Sequence, residues 1–366
     1  ELPFPADAGR RKAVQASGRP NRALARYTPG LGTLRVSVLK TSVSTTTRES
    51  GVQDIPIAVS LNFDSLNEAY GFPEGYTDPA FFRAFDRLQG LADKYGIPLS
   101  IYVIGRDLEK PEHFQRVREW QAKGHEIGNH SWSHFHNLGT RSPEVIHDEI
   151  KRSHDLISEC TGSEPVGFIT PSWSTSKRVV QTLIDLGYDY DHSVFPSFMF
   201  YAVVGRDALN HIGHPERFLR LLRRRDWLNP WYRPARPFWV DSRFRRVAAS
   251  RTAENERLLV LPMPTAHRFS FTCWHTVGFF LGWKRLHGLI DDLLDHHECF
   301  YYLFHPADFI GPEDLDNDSS LYLARMDVPL TEKMKRLEEV FERLASHGRP
   351  LTTMSKLAEF HRQRTR

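Results

Sequence analysis

Cysteine is scarce in this chain. Three residues in 366, Cys160, Cys273 and Cys299, stand far apart, and none forms a C-x-x-C pair. That excludes a cysteine-ligated zinc ribbon and a dithiol redox motif, and an odd count gives no disulfide framework. Long apolar runs are also missing. No stretch approaches 18 apolar residues, so no transmembrane helix is expected. Charge of one sign is not in excess: 48 Lys and Arg face 45 Asp and Glu, a net charge of +3. So mild a balance carries no footprint of nucleic-acid binding, and no nucleic-acid partner is expected. The chain starts at Glu1, which leaves room for a removed targeting segment. Cytoplasm and cell envelope both stay open as locations.

What is present is an ordinary globular composition, 40 % hydrophobic and 25 % charged, enough for a large core. Residues 1–50 show no sustained period and read as an N-terminal arm, with a strand near Leu34–Leu39. From Ile55 an alternation begins. Ile55–Phe63 is a buried-strand run ending at Asp64. Asp78-Pro79 opens a helix that Gly96 stops. Pro98–Ile104 is a second strand, Pro111–Lys123 a second helix, and Glu126-Ile127-Gly128 a third strand end. Helices from Ser142 to about Cys160 and over Ser176–Leu186 flank a short strand at Phe168-Ile169. The rhythm breaks after Met199 for about 55 residues. It resumes with strands at Leu258–Met263 and Cys299–Phe304 and helices at Trp283–His297, Leu330–Ser346 and Ser355–Arg362. Leu351–Thr353 is a last strand. Strands alternating with helices argue parallel βαβ units, an α/β barrel or sheet over residues 51–366.

Chemistry-bearing residues fall at the ends of these strands. His130 and His134 lie four apart in Gly124–His134. In a helical turn that spacing is about 1.1 turns and puts both imidazoles on one side. Two neutral ring nitrogens so placed suit one divalent metal. With 18 histidines in the chain, spacing alone is weak support. Asp64 and His305 end other strands, and parallel strands bring such ends to one face. An acid, a two-histidine metal pair and a lone histidine make a metal hydrolase. The metal would acidify a water and polarise a carbonyl, a carboxylate would take the proton, and a histidine would protonate the leaving amine.

The stretch Gly-His-Glu-Ile-Gly-Asn-His-Ser-Trp-Ser-His, 124–134, resembles the second signature of the polysaccharide deacetylase family, also called the NodB-homology or carbohydrate esterase 4 family. Leu61-Asn62-Phe63-Asp64 is similar to its first signature, T-F-D-D. Asp189–Pro196 resembles a D-x-S-V-F-P run, and Tyr302–Asp308 resembles the last signature, L-x-H followed by Pro. The resemblance covers about residues 55–197 and 258–360. It implies a distorted (β/α) barrel and a divalent metal, zinc first, with cobalt, nickel or manganese as alternatives. It implies His130 and His134 as metal ligands, Asp64 as base, and His305 as general acid. Leu303 would line the pocket for the acetyl methyl. Pro171, Ser172 and Trp173, where the third signature lies, would contact substrate. The family's second Asp, a metal ligand, is replaced here by Ser65, so Asn67, Glu68 or a rotated Asp64 is left to supply the oxygen. The third signature's Arg is replaced by Ile169. His192 reads as a satisfied loop histidine.

The resemblance implies removal of N-acetyl groups from an amino-sugar glycan or a lipid-linked sugar. Two alternatives stand beside it: a non-catalytic glycan-binding or assembly protein on the same fold, and a deformylase or cyclic-amide hydrolase. The insertion at about 198–255 interleaves arginines, among them Arg223, Arg224 and Arg225, with Trp227, Trp231 and Trp239. It reads first as a solvated cap, then as a grip on an anionic substrate or a peripheral contact with an anionic membrane.

Overall fold

β1 (Ile57–Phe63) is buried along its whole length, and every one of its seven residues faces protein on either side. A strand apolar on both faces belongs in a parallel sheet covered by helices. A computed structural model of the chain describes residues 52–73, 75–198, 234–266, 271–316, 321, 323 and 325–364. The expected arm over 1–50, with its strand near Leu34–Leu39, lies outside the described residues. So does most of the arginine-rich insertion, including Arg223, Arg224, Arg225, Trp227 and Trp231.

The remaining strands are β2 (Leu99–Val103), β3 (Glu126–Asn129), β4 (Gly167–Phe168), β5 (Tyr190–Asp191), β6 (Phe238–Asp241), β7 (Arg246–Val247), β8 (Arg257–Val260), β9 (Tyr301–Phe304) and β10 (Leu351–Thr352). The parallel run is β9-β1-β2-β3-β4-β5-β8. β10 pairs with the first two residues of β1. Helices α1 (Arg83–Tyr95), α2 (Pro111–Ala122), α3 (Pro143–Thr161), α4 (Lys177–Asp185), α5 (His275–Leu281), α6 (Trp283–His296), α7 (Leu330–Ser346) and α8 (Met354–Arg364) complete the fold. Among the described residues no ladder joins β8 to β9. The Tyr301 hydroxyl reaches the Leu261 carbonyl at 3.4 Å across that seam. The result is the expected α/β architecture, a distorted (β/α) barrel with an open seam.

Local chemistry sets the helix limits. Ser142 caps α3 by accepting the Val145 N–H, Pro143 takes the first helical position, and Gly162 ends it at φ 74°. Gly96 ends α1 in the same left-handed way. The expected single helix from Asp78 is split: Pro79–Phe81 is a 3-10 turn, and Phe82 breaks it from α1. The break in rhythm after Met199 hides a hairpin. β6 pairs antiparallel with β8 and with β7, and extends the sheet past the parallel run. Its turn is closed by Asp241, whose Oδ1 accepts the N–H groups of Arg243 and Arg245 at 3.0 and 2.9 Å. The arginines at 243, 245 and 246 conceal the strand alternation in the sequence.

Candidate metal centre

Asp64 follows β1, His130 follows β3, Ile169 follows β4 and His305 follows β9. All four therefore stand at the carboxyl ends of parallel strands, on one face of the barrel. Asp64, His130 and His134 present ligand atoms that lie within 4.8 Å of one another, as a metal site requires. Asp64 Oδ1 is 3.2 Å from His130 Nε2 and 3.3 Å from His134 Nε2.

The two histidines do not share a helical turn. Residues 130–137 are an irregular loop in which Ser131 and His134 adopt left-handed φ values of 67° and 54°. The expectation of convergence holds, but its helical reason does not. Neighbouring backbone and side chains impose the loop's shape instead. His130 N–H donates to Val103 O (2.9 Å), Gly105 N–H to Ser131 O (2.9 Å), and Arg106 N–H to Trp132 O (3.1 Å). Ser131 N–H is held by Asn129 Oδ1 at 2.8 Å, and Ser133 N–H by Glu149 of α3 at 2.9 Å. These bonds offset the cost of left-handed non-glycine residues, about 1–3 kcal/mol each.

The hydrogen-bond network assigns the tautomer of His130. Its Nδ1–H donates to Ile169 O at 2.8 Å, so Nε2 of the neutral ring carries a lone pair toward Asp64. Burial, outweighing the pull of Asp64, holds the His130 imidazole below its ordinary pKa, and therefore neutral. Burial raises the Asp64 carboxyl, but the neighbouring histidines, His134 first, bring it well below the usual range. A neutral nitrogen lone pair and a carboxylate oxygen converging at these distances suit a shared cation. This donor set, two imidazoles and a carboxylate, fits zinc and its first-row neighbours.

Position separates the candidates for the oxygen ligand. Ser65 is fully buried, and its hydroxyl oxygen accepts the Glu68 N–H at 3.3 Å. Asn67 is buried, its amide donating to Pro73 O at 2.9 Å. Glu68 pairs with Arg106 at 3.5 Å. Asp64 alone of these faces the two histidines.

His305 follows β9, which pairs with β1, and so stands on the same face as Asp64. Its backbone N–H donates to Asp308 Oδ2 at 2.9 Å, and Asp308 Oδ1 pairs with Arg325 at 3.0 Å. Lys333 Nζ, fully buried, donates to Ala307 O and Ile310 O and fixes the same segment. Sequence reasoning gave Asp308 and Arg325 no part in this arrangement; the signal available was an acid three residues beyond His305. Leu303, two residues before His305 and hence on the same side of β9, is fully buried.

The third-signature loop lies on the other flank. Ser172 and Trp173 both take left-handed φ values, 52° and 53°. Ser172 Oγ hydrogen-bonds His136 Nδ1 at 2.7 Å, and the His136 ring packs against His134 with centroids 4.9 Å apart. His136 had not been singled out in the sequence. Pro171 is buried, while Trp173 packs on Phe195 and Trp274. His192 is not the satisfied loop histidine expected. It is fully buried inside the barrel, its ring 4.3 Å from Tyr102, and neither ring nitrogen has a hydrogen-bond partner among the described residues. Burial, then the nearby His130, push its pKa down to about 3, so it is neutral.

Residues 58–190 match the family model for polysaccharide deacetylase. The peptidoglycan deacetylase of Helicobacter pylori is 25 % identical over 193 residues, 52 % of this chain and 61 % of that protein. The chain thus spans under two thirds of that relative's length. Two solved structures share the fold. A candidate polysaccharide deacetylase from Mycobacterium smegmatis superposes with a TM-score of 0.52 at 16 % identity, over 88 % of this chain and 95 % of the other. PuuE allantoinase does so with a TM-score of 0.50 at 14 % identity, over 85 % and 91 %.

Proposed function

This chain belongs to the polysaccharide deacetylase family through residues 58–190, and from that premise we propose that it removes N-acetyl groups from an amino-sugar glycan with the help of a divalent metal, zinc first. The observation that carries the proposal is the convergence of two histidine Nε2 atoms on one oxygen of Asp64, at 3.2 and 3.3 Å. His130, His134 and Asp64 Oδ1 would hold the cation. When bound, it supplies Lewis acidity to the acetamide carbonyl and acidifies a water. Asp64, through its second oxygen, would take the proton of the attacking water as the water's oxygen bonds to the acyl carbon. The carbon–nitrogen bond then breaks, and His305 gives its proton to the departing amine. Acetate and a free amino sugar leave. Ser172 and Trp173 would contact the sugar, and Leu303 would bound the space for the methyl group. The relative named a peptidoglycan deacetylase motivates an N-acetylated glycan as the substrate class.

The test is zinc content by elemental analysis, with acetate release from an N-acetylglucosamine tetramer. The wild-type chain is expected to hold one zinc and release acetate, and His134→Ala to lose both. A His134→Ala protein that kept its zinc and its full rate would sink the assignment. Ser65 and Ile169, which depart from the family pattern, favour one second reading: a glycan-binding protein without turnover. Zinc-loaded wild type that binds the tetramer but releases no acetate is the outcome specific to it. Release of formate, or opening of a cyclic amide, in place of acetate release would redirect the substrate.

A further inference from the structure

His305 lacks the usual handle of a histidine acid. A ring that gives a proton from one nitrogen is normally steered by a carbonyl or carboxylate on the other. The Nδ1 of His305 is buried and has no hydrogen-bond partner among the described residues. The residue is held by its backbone instead. Its N–H donates to Asp308 Oδ2 at 2.9 Å, and the Asp308 N–H donates to His305 O at 2.9 Å. Pro306 opens the 3-10 turn between them, and its ring fixes φ there.

Asp308 is fully buried, and a buried carboxylate needs a cation. Arg325 Nη2 supplies it, 3.0 Å from Oδ1. Burial raises the Asp308 carboxyl, but Arg325 leads the groups that bring it below the usual range, so it stays ionised. Arg325 is itself constrained. Its φ of 68° is left-handed, a conformation that a non-glycine residue keeps only where its surroundings impose it. Leu323 nearby is fully buried, Met326 packs on the core, and the guanidinium lies over the Phe279 ring of α5 at 5.2 Å. Strain of this kind gathers at functional sites. An unbroken chain of contacts therefore runs from α5 through Arg325 and Asp308 to the backbone of His305.

We propose that Arg325, acting through Asp308, is a positioning residue for His305, fixing the end of β9 so that the imidazole meets the departing amine. This rests on the deacetylase reading. The part of Arg325 is to place His305 rather than to touch the reacting atoms. Displacing a reacting group by about 1 Å costs about 100-fold in rate.

Arg325→Gln removes the charge, and Arg325→Lys keeps it without the planar guanidinium. Both are loaded with zinc and assayed for acetate release from the N-acetylglucosamine tetramer. Expected for Arg325→Gln is a fall in kcat of about 10-fold to 100-fold, with KM within about threefold and zinc content unchanged. Arg325→Lys should lose less. On a His305→Gln background, Arg325→Gln should cost less than about threefold more, because the group it acts through is already gone. In metal-free protein carrying isotope-labelled histidine, the magnetic resonance signal of the His305 ring should shift in Arg325→Gln while those of His130 and His134 stay in place. Wild-type kcat in Arg325→Gln, loss of zinc, an unmoved His305 signal, or a full further fall on the His305→Gln background overturns the proposal. If Arg325→Gln does not fold, Arg325→Lys decides by the same cycle. A loss that vanishes without His305 supports the proposal, and a loss that persists, or none at all, overturns it. Zinc-loaded wild type that releases no acetate fails the deacetylase reading instead, before any variant is made, and the ring signal still tests Arg325.

Discussion

Gly139→Ala tests how the third-signature loop is held. Gly139 sits in a short 3-10 turn, Leu138–Thr140, and its N–H donates to Ser174 O at 2.8 Å. A methyl group at position 139 would stand 2.3 Å from that carbonyl oxygen and 2.9 Å from the carbonyl carbons of Ser174 and Thr175. All three are backbone atoms, so no rotamer change relieves the clash. Ordinary contact requires the chain at 174–175 to retreat by about 1 Å. Overpacking of this kind costs about 1–3 kcal/mol, and a weakened backbone hydrogen bond adds about 1 kcal/mol. The expected loss is therefore about 2–4 kcal/mol. Part is recovered elsewhere, because Ser172 and Trp173 can leave their left-handed conformations once the clamp moves. That relaxation carries Ser172 away from His136. Urea denaturation should show a lower midpoint at an unchanged slope. Acetate release assayed below the transition should show a raised KM. Zinc content should hold, since the loop at 130–134 is supported by Val103, Gly105 and Glu149. An unchanged midpoint together with an unchanged KM would refute the picture of a loop kept under strain by a glycine contact.

His305→Gln should lower kcat for acetate release by about 100-fold to 10,000-fold, the usual range for a lost general acid, with zinc content unchanged; a rate within threefold of wild type would remove His305 from the mechanism. Asp78 is fully buried, and burial, against hydrogen bonds from Ala80, Leu66 and Asn67, raises its carboxyl from 3.8 to about 6. The folded chain therefore binds this proton more tightly than the unfolded one. Its contribution is present below the unfolded value and is lost as pH rises through about 6, about 3 kcal/mol in all. Asp78→Asn should flatten the stability profile between pH 4 and 6, measured by denaturation at each pH; an unaltered slope would count against a protonated Asp78.

Much of the site was legible because it is written in short stretches. Asp64 and His305 each end a buried strand run, and buried runs are the most readable strands; His130 and His134 are carried by the short stretch at 124–134. The helical limits were readable where Ser142, Pro143, Gly96 and Gly162 carry capping chemistry. What failed has specific causes. The four-residue spacing of the histidines suggested a helix, whereas contacts from β2's following turn and from Glu149 fold that stretch into a left-handed loop. The hairpin β6–β7 was hidden because its arginines break alternation. His192 looked like a satisfied residue because nothing in the sequence says that the segment after β5 buries its ring beside Tyr102.

The sequence alone determined the residue types at the strand ends, and through them the alternating architecture and the chemistry available: two imidazoles, one carboxylate, one further histidine. These follow from local patterns, since periodicity, capping and strand length act over a few residues. Tertiary structure decided which oxygen faces the histidines. Ser65, Asn67, Glu68 and Asp64 are neighbours in the chain, and only the fold commits the first three to a loop and leaves Asp64 at 3.2 and 3.3 Å from the ring nitrogens. It also decided the tautomer of His130, through a carbonyl 39 residues away. Such choices depend on distances between segments remote in sequence, and closing a sheet of parallel strands is what fixes those distances.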